Sequence, residues 1–196
     1  MAFESKANGL LPGTAFQVFG DARKGAKQYN EDSSCNFRSV NSRVIVACVF
    51  DGHGGYNGFL ASDTARLVSL AYFQSNSEAC ESWSVDTWRA NLHALYELIH
   101  NTIREKFVND KSTEDLNRNT GNRFVDDKGI VRGPNQDPIH GGSTGTIAVL
   151  MHPGEADSTI ICANVGDSTA LLITQQGKFE HLTVVRARSL ADCSLL

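Results

Sequence analysis

The chain has 196 residues, 41% of them hydrophobic and 20% charged, and its 18 lysines and arginines against 22 aspartates and glutamates leave a formal net charge of −4. That composition excludes a disordered or fibrous chain. Interspersed charges with a slight acidic excess also exclude the concentrated basic face that nucleic-acid binding wants. The length suits one domain with a core of its own.

In chain order, the N-terminal MAFESKANGLL lacks the basic start and apolar stretch of a secretory signal. Alanine at the second position does not meet the usual myristoylation pattern. Residues 14–20 (TAFQVFG) alternate apolar and polar side chains and predict a strand. Residues 43–50 (RVIVACVF) form a nearly continuous β-branched run, which predicts a strand buried on both faces. The glycines of Asp51-Gly52-His53-Gly54-Gly55 predict a loop directly after it.

Two helices are predicted next. Over 57–73, Leu60, Thr64, Leu67, Val68 and Ala71 recur at helical spacing. Over 85–107, Trp88, Leu92, Leu95, Tyr96, Ile99, Ile103 and Phe107 make a cleaner stripe. Residues 108–140 lose periodicity and are expected to be a mobile insertion. Strands are predicted again over 144–151, 158–164, 169–174 and near 178–182, joined by turns too short for crossovers. This order predicts an α+β domain with antiparallel sheet. No apolar run approaches the ~18 residues that span a membrane.

The five cysteines, Cys35, Cys48, Cys80, Cys162 and Cys193, are scattered, and none forms a C-x-x-C pair. They predict neither a disulfide framework nor a zinc site, and a reducing cytoplasm or nucleus is the expected location. Cys48 and Cys162 fall inside apolar runs, as inert buried thiols do.

Asp51 carries the strongest chemical signal, because a carboxylate at a strand end is rigidly held and its two oxygens can bridge two hard cations. Gly52 has no side chain to keep a cation from its carbonyl, and His53 stands where a proton donor to a leaving oxygen would be useful. Taken alone, the same residues also fit a strand-terminating turn. Glu31-Asp32 in GAKQYNEDSS would gain from a nearby cation, since adjacent carboxylates repel, but such pairs are common in solvated turns. Asn164-Val165-Gly166-Asp167-Ser168 reads as a hairpin turn or as a further carboxylate aimed at Asp51.

In order, GAKQYNEDS, VFDGHGG, GGSTGTIAVL and ANVGDSTALL resemble the early signature segments of the type 2C family of metal-dependent protein serine/threonine phosphatases. The resemblance spans residues 14–183 and implies an antiparallel β-sandwich flanked by α-helices, with a two-metal centre at one end. It further implies that Asp51 bridges two Mg²⁺ or Mn²⁺ ions while Gly52 offers a carbonyl. Glu31 would reach an ion through water, Asp32 would support the shell, and Asp167 would match a third, weaker metal position. His53 would be the general acid, the nucleophile would be a metal-activated water, and the substrates would be phosphoserine and phosphothreonine proteins. Hard oxygen donors suit those ions.

Two departures stand out. Lys27 occupies the place where the family usually has a phosphate-gripping arginine, and lysine lacks the bidentate fork. After Thr183 the match gives way to VVRARSLADCSLL, so residues 184–196 are expected to be a non-matching tail on a shortened domain. The family's remaining metal-binding aspartates have no counterpart there, which implies poor hydrolysis. The alternative is a non-catalytic fragment or pseudophosphatase acting through partners.

Overall fold

The structure is a computed structural model, and it describes residues 29–110, 123–155, 157–173 and 176–183. The expectations for 14–20, Lys27 and 184–196 lie outside the described residues. In chain order the elements are strands β1 (Asp32–Arg38) and β2 (Val44–His53), then helices α1 (Tyr56–Ser75) and α2 (Val85–Asn109). Short strands β3 (Phe124–Val125), β4 (Val131–Arg132) and β5 (Gly142–Ser143) follow, then β6 (Gly145–Met151), β7 (Thr159–Val165), β8 (Leu171–Ile173) and β9 (Phe179–His181).

Strands β1, β2, β6 and β7 form an antiparallel sheet in that order, with β5 paired to the end of β2. The register sorts side chains cleanly. Cys48 lies opposite Cys35 and Ile147, Val46 opposite Phe37 and Val149, and Val44 opposite Met151. Opposed residues share a face, and this one packs on Ala65 and Phe73 of α1 and on Trp88, Leu92, Leu95 and Ile99 of α2. The architecture is therefore α+β, with antiparallel sheets and two helices.

Helix α2 follows its predicted stripe, burying Trp88, Leu92, Leu95, Ile99 and Phe107. It begins where Ser84 Oγ accepts the Thr87 amide at 3.1 Å, satisfying one orphan donor of the first turn. Tyr96 reaches past the helix to the sheet, with its hydroxyl 3.0 Å from both the Gly145 and Ala163 carbonyls. Burial raises its pKa far above the usual phenol range, with Cys48 and Cys162 adding to the effect, so it remains a donor.

Four features differ from the expectation. The buried face of α1 is Asn57, Gly58, Ala61, Ser62, Thr64, Ala65, Ser69 and Phe73, so Thr64 of the expected stripe is buried whereas Leu67 is 51% exposed. Small residues let this helix lie close to the strands, and that contact outweighs the burial of larger side chains elsewhere on its surface. Strand β2 runs through Asp51, Gly52 and His53 instead of ending before them, because β1 and β5 supply partners there. β1 itself was not foreseen. Finally, β8 pairs with β9 and not with β7, so Gly166-Asp167 is a corner between sheets and not a hairpin turn.

Within 108–140, residues 123–140 include the β3–β4 hairpin. Asp126 accepts the Lys128 and Ile130 amides at 2.9 Å each and pairs with Arg132 at 2.6 Å. Val131 is buried against Ala61 and Phe107.

Candidate metal centre

Asp32 and Asp51 are direct partners in the β1–β2 ladder. Side chains so paired emerge on the same face with Cβ atoms about 4.5–5.5 Å apart, and like charges there repel. Two carboxylates on one rung make a set of oxygen donors that a divalent cation stabilises. His53, two residues along β2 from Asp51, points to that same face by the strand's alternation. Asp51 and His53 are both exposed.

Glu31 is held differently. It is buried, its carbonyl accepts the Gly52 amide at 3.1 Å, and its carboxylate accepts the Gly55 amide at 2.8 Å. Gly55 is the N-cap residue of α1 and has no side chain of its own to cap the helix. The negative charge of Glu31 thus meets the positive end of the helix dipole. A side chain at Gly58 would lie 2.7 Å from that same carboxylate oxygen. Gly52 is glycine for a related reason. A Cβ there would overlap the carbonyl oxygens of Glu31 and Gly58, so helix and strand could not meet.

Two residues not singled out from the sequence complete the arrangement. Thr144 Oγ1 accepts the Asp51 amide at 3.1 Å, and the Thr144 amide donates to the Asp51 carbonyl at 2.8 Å. The Thr144 hydroxyl also pairs with Ser168 Oγ at 2.7 Å. Gly166, at φ 99°, leaves room for Thr144 where a Cβ would be 2.8 Å from its methyl. This clasp fastens the corner that carries exposed Asp167 to the strand end that carries Asp51. The signal was their position beside assigned residues in GGSTG and VGDS. His53 is bordered by Gly142, from which a Cβ would lie 3.2 Å from the imidazole.

The structure thus gathers Glu31, Asp32, Asp51, Gly52 and His53 at one sheet end and ties the Asp167 corner to it. A separate group, His152, Glu155 and Asp157, has ligand atoms all within 4.8 Å of one another. It lies on the β6–β7 turn, at the opposite end of β6 from Thr144. His152 already pairs with Asp157 at 3.1 Å, and that hydrogen bond holds the Asp157 carboxyl below its ordinary range. An imidazole ligand suits hard cations less well than the opposed carboxylates of Asp32 and Asp51. No helix of the described residues is long and apolar enough to cross a membrane.

A search of curated proteins returned no match. A family model described as Protein phosphatase 2C matches residues 11–187, a span holding both the acidic strand end and the clasp behind it. The chain belongs to the protein phosphatase 2C family.

Proposed function

We propose that this chain is built as a protein serine/threonine phosphatase and that the acidic end of β1 and β2 is its metal-binding end. The family is one of protein phosphatases that generally depend on Mg²⁺ or Mn²⁺. The observation that carries the residue assignment is the opposed pair Asp32 and Asp51 on one ladder rung. Their chemistry fits a hard divalent cation, because both side chains are carboxylates.

In this reading Asp51 and the Gly52 carbonyl would hold Mg²⁺ or Mn²⁺. Glu31, anchored on the Gly55 amide, would act through water, with Asp32 supporting and Asp167 serving a weaker position. When bound, such ions supply Lewis acidity to phosphate oxygens and to water. His53 would donate a proton to the departing serine or threonine oxygen, which its exposed place beside Asp51 permits. Lys27 would contribute positive charge toward the substrate phosphate without the two-point grip of a guanidinium. The substrates are phosphoserine and phosphothreonine in proteins.

In this reading the carboxylates offered to two adjacent dications are Glu31, Asp32, Asp51 and Asp167, with Glu31 acting through water, so alignment of the reactants is expected to be poor and turnover slow. The test is purified 1–196 titrated with Mn²⁺ and assayed on a phosphothreonine peptide, beside Asp51→Asn. Expected are Mn²⁺ binding and slow, Mn²⁺-dependent release of phosphate, both lost in Asp51→Asn. Turnover that survives in Asp51→Asn overturns the assignment.

A further inference from the structure

Cys35 on β1 and Cys48 on β2 are direct partners in the antiparallel ladder. Both lie on the helix-facing side, Cys48 inside the core and Cys35 packed against it. Opposed residues in such a ladder have Cα atoms about 4.5 or 5.5 Å apart, within the roughly 4.4–6.8 Å that a disulfide spans. Both thiols are free. The geometry points to a reversible cross-strand disulfide between Cys35 and Cys48, formed by a peroxide, that changes the spacing of β1 and β2 below the acidic strand end. This goes beyond the phosphatase reading, and only its metal readout rests on that reading.

The two sulfurs have different roles. Cys35 is half-buried on β1, an edge strand of its sheet among the described residues, with Sγ 3.7 Å from the Arg66 carbonyl. Its thiol lies below the ordinary value because Cys48 donates to it, an effect opposed by burial and assisted by the Arg66 charge. Cys48 is pushed well above the ordinary value by the same hydrogen bond and by burial. Cys35, half-buried on the edge strand, is the sulfur that a peroxide reaches and that attacks it, while Cys48, inside the core, is the resolving thiol. Elsewhere burial raises Cys80 to about 11 and also raises Cys162.

The chemistry balances with hydrogen peroxide as the two-electron oxidant. The Cys35 thiolate attacks one peroxide oxygen, the O–O bond breaks, and hydroxide leaves behind a sulfenic acid. The Cys48 sulfur then attacks the Cys35 sulfur and the S–O bond breaks. The departing hydroxyl takes the Cys48 proton and leaves as water. The first hydroxide takes up the proton lost when Cys35 ionised. Two thiols and one peroxide give one disulfide and two waters.

The consequence follows from the ladder. From Cys35 and Cys48 the rungs run through Ser34–Val49 and Ser33–Phe50 to Asp32–Asp51. A disulfide draws Cβ atoms to about 3.8 Å, closer than the ~4.5–5.5 Å of an ordinary rung. Three rungs cover only about 10 Å of strand, so the pinch reaches the carboxylate pair.

The experiment treats reduced, full-length 1–196 with a small excess of hydrogen peroxide, alkylates remaining thiols and maps peptides without reduction. A linked peptide joining Cys35 to Cys48, released by dithiothreitol and absent from Cys35→Ser and Cys48→Ala, is expected. Recovery of both as alkylated thiols, or of Cys35 as a sulfinic acid, overturns the proposal. Mn²⁺ titration of the two forms should show affinity at least about fivefold weaker after oxidation, restored by dithiothreitol and insensitive to peroxide in Cys35→Ser. Equal affinities overturn the coupling to the strand end. Absence of Mn²⁺ binding in the reduced chain sinks the metal reading and the coupling with it, while the linked peptide still decides the disulfide.

Discussion

At position 52 a missing side chain joins helix to strand. A Cβ on Gly52 would overlap the Glu31 and Gly58 carbonyl oxygens, both of them backbone atoms with little room to yield. Gly52→Ala is expected to cost at least about 1–3 kcal/mol of stability, measured as a lower urea midpoint. An unchanged midpoint would mean that the helix can retreat at no cost. Thr144 makes a second residue-scale test. Thr144→Val keeps the shape but deprives the Asp51 amide and Ser168 of their oxygen. A loss of about 1 kcal/mol is expected, with weaker Mn²⁺ binding as the more telling readout. Retained affinity would show that the clasp does not hold Asp51 in place.

Elements separate what the sequence displays from what it hides. Helix α2 was legible because its large apolar residues coincide with its buried ones. Leu95→Ala should therefore cost about 2–5 kcal/mol, whereas Leu98→Ala, on a residue 48% exposed, should stay within about 0.5. Equal thermal shifts would contradict that division. In α1 the buried residues are small, so hydrophobicity pointed to Leu67 and missed Ala61 and Ala65. Strand β1 was hidden because DSSCNFR has only Cys35 and Phe37 as apolar alternation, and its place is fixed by pairing with β2.

The β3–β4 turn allows a pH test. Backbone amide donation from Ile130, assisted by Arg132 and Lys128 against some desolvation, lowers the Asp126 pKa from its ordinary 3.8. A depressed folded value gives stability that is present above 3.8 and lost as pH falls through the lower value. Amide exchange at Ile130 should quicken on acidification relative to α2, and Asp126→Asn should remove that difference. An unaltered difference in the variant would place the acid sensitivity elsewhere.

Across the whole molecule, the acidic end was legible as four separate motifs, and only the family resemblance, not their spacing, implied that they meet. Only the register puts Asp32 opposite Asp51, and only tertiary contact sets Thr144 against Ser168. The β8–β9 pair carries a different property. Leu171, Ile173 and Phe179 on β8 and β9 are 47%, 62% and 67% exposed. Apolar side chains grouped this way on short strands favour association. Phe179→Ser combined with Ile173→Thr is expected to lower the concentration-dependent sedimentation of 1–196 while leaving its melting midpoint nearly unchanged. Sedimentation that stays the same would assign association to another surface.

The close seat of α1 on the sheet has one more consequence. Gly58, Ala61, Ser62 and Ala65 leave no long, pliable side chains between helix and strands. Close-packed interiors transmit strain instead of absorbing it, so bulk added at Ala65 would shift the helix as a rigid bar. The Gly55 amide would travel with it and withdraw from Glu31. In a library of random variants, losses of ion binding should therefore recur two turns away from the acidic end, at positions that touch no ligand. Leu67, on the outer surface of the same bar, should accept almost any replacement.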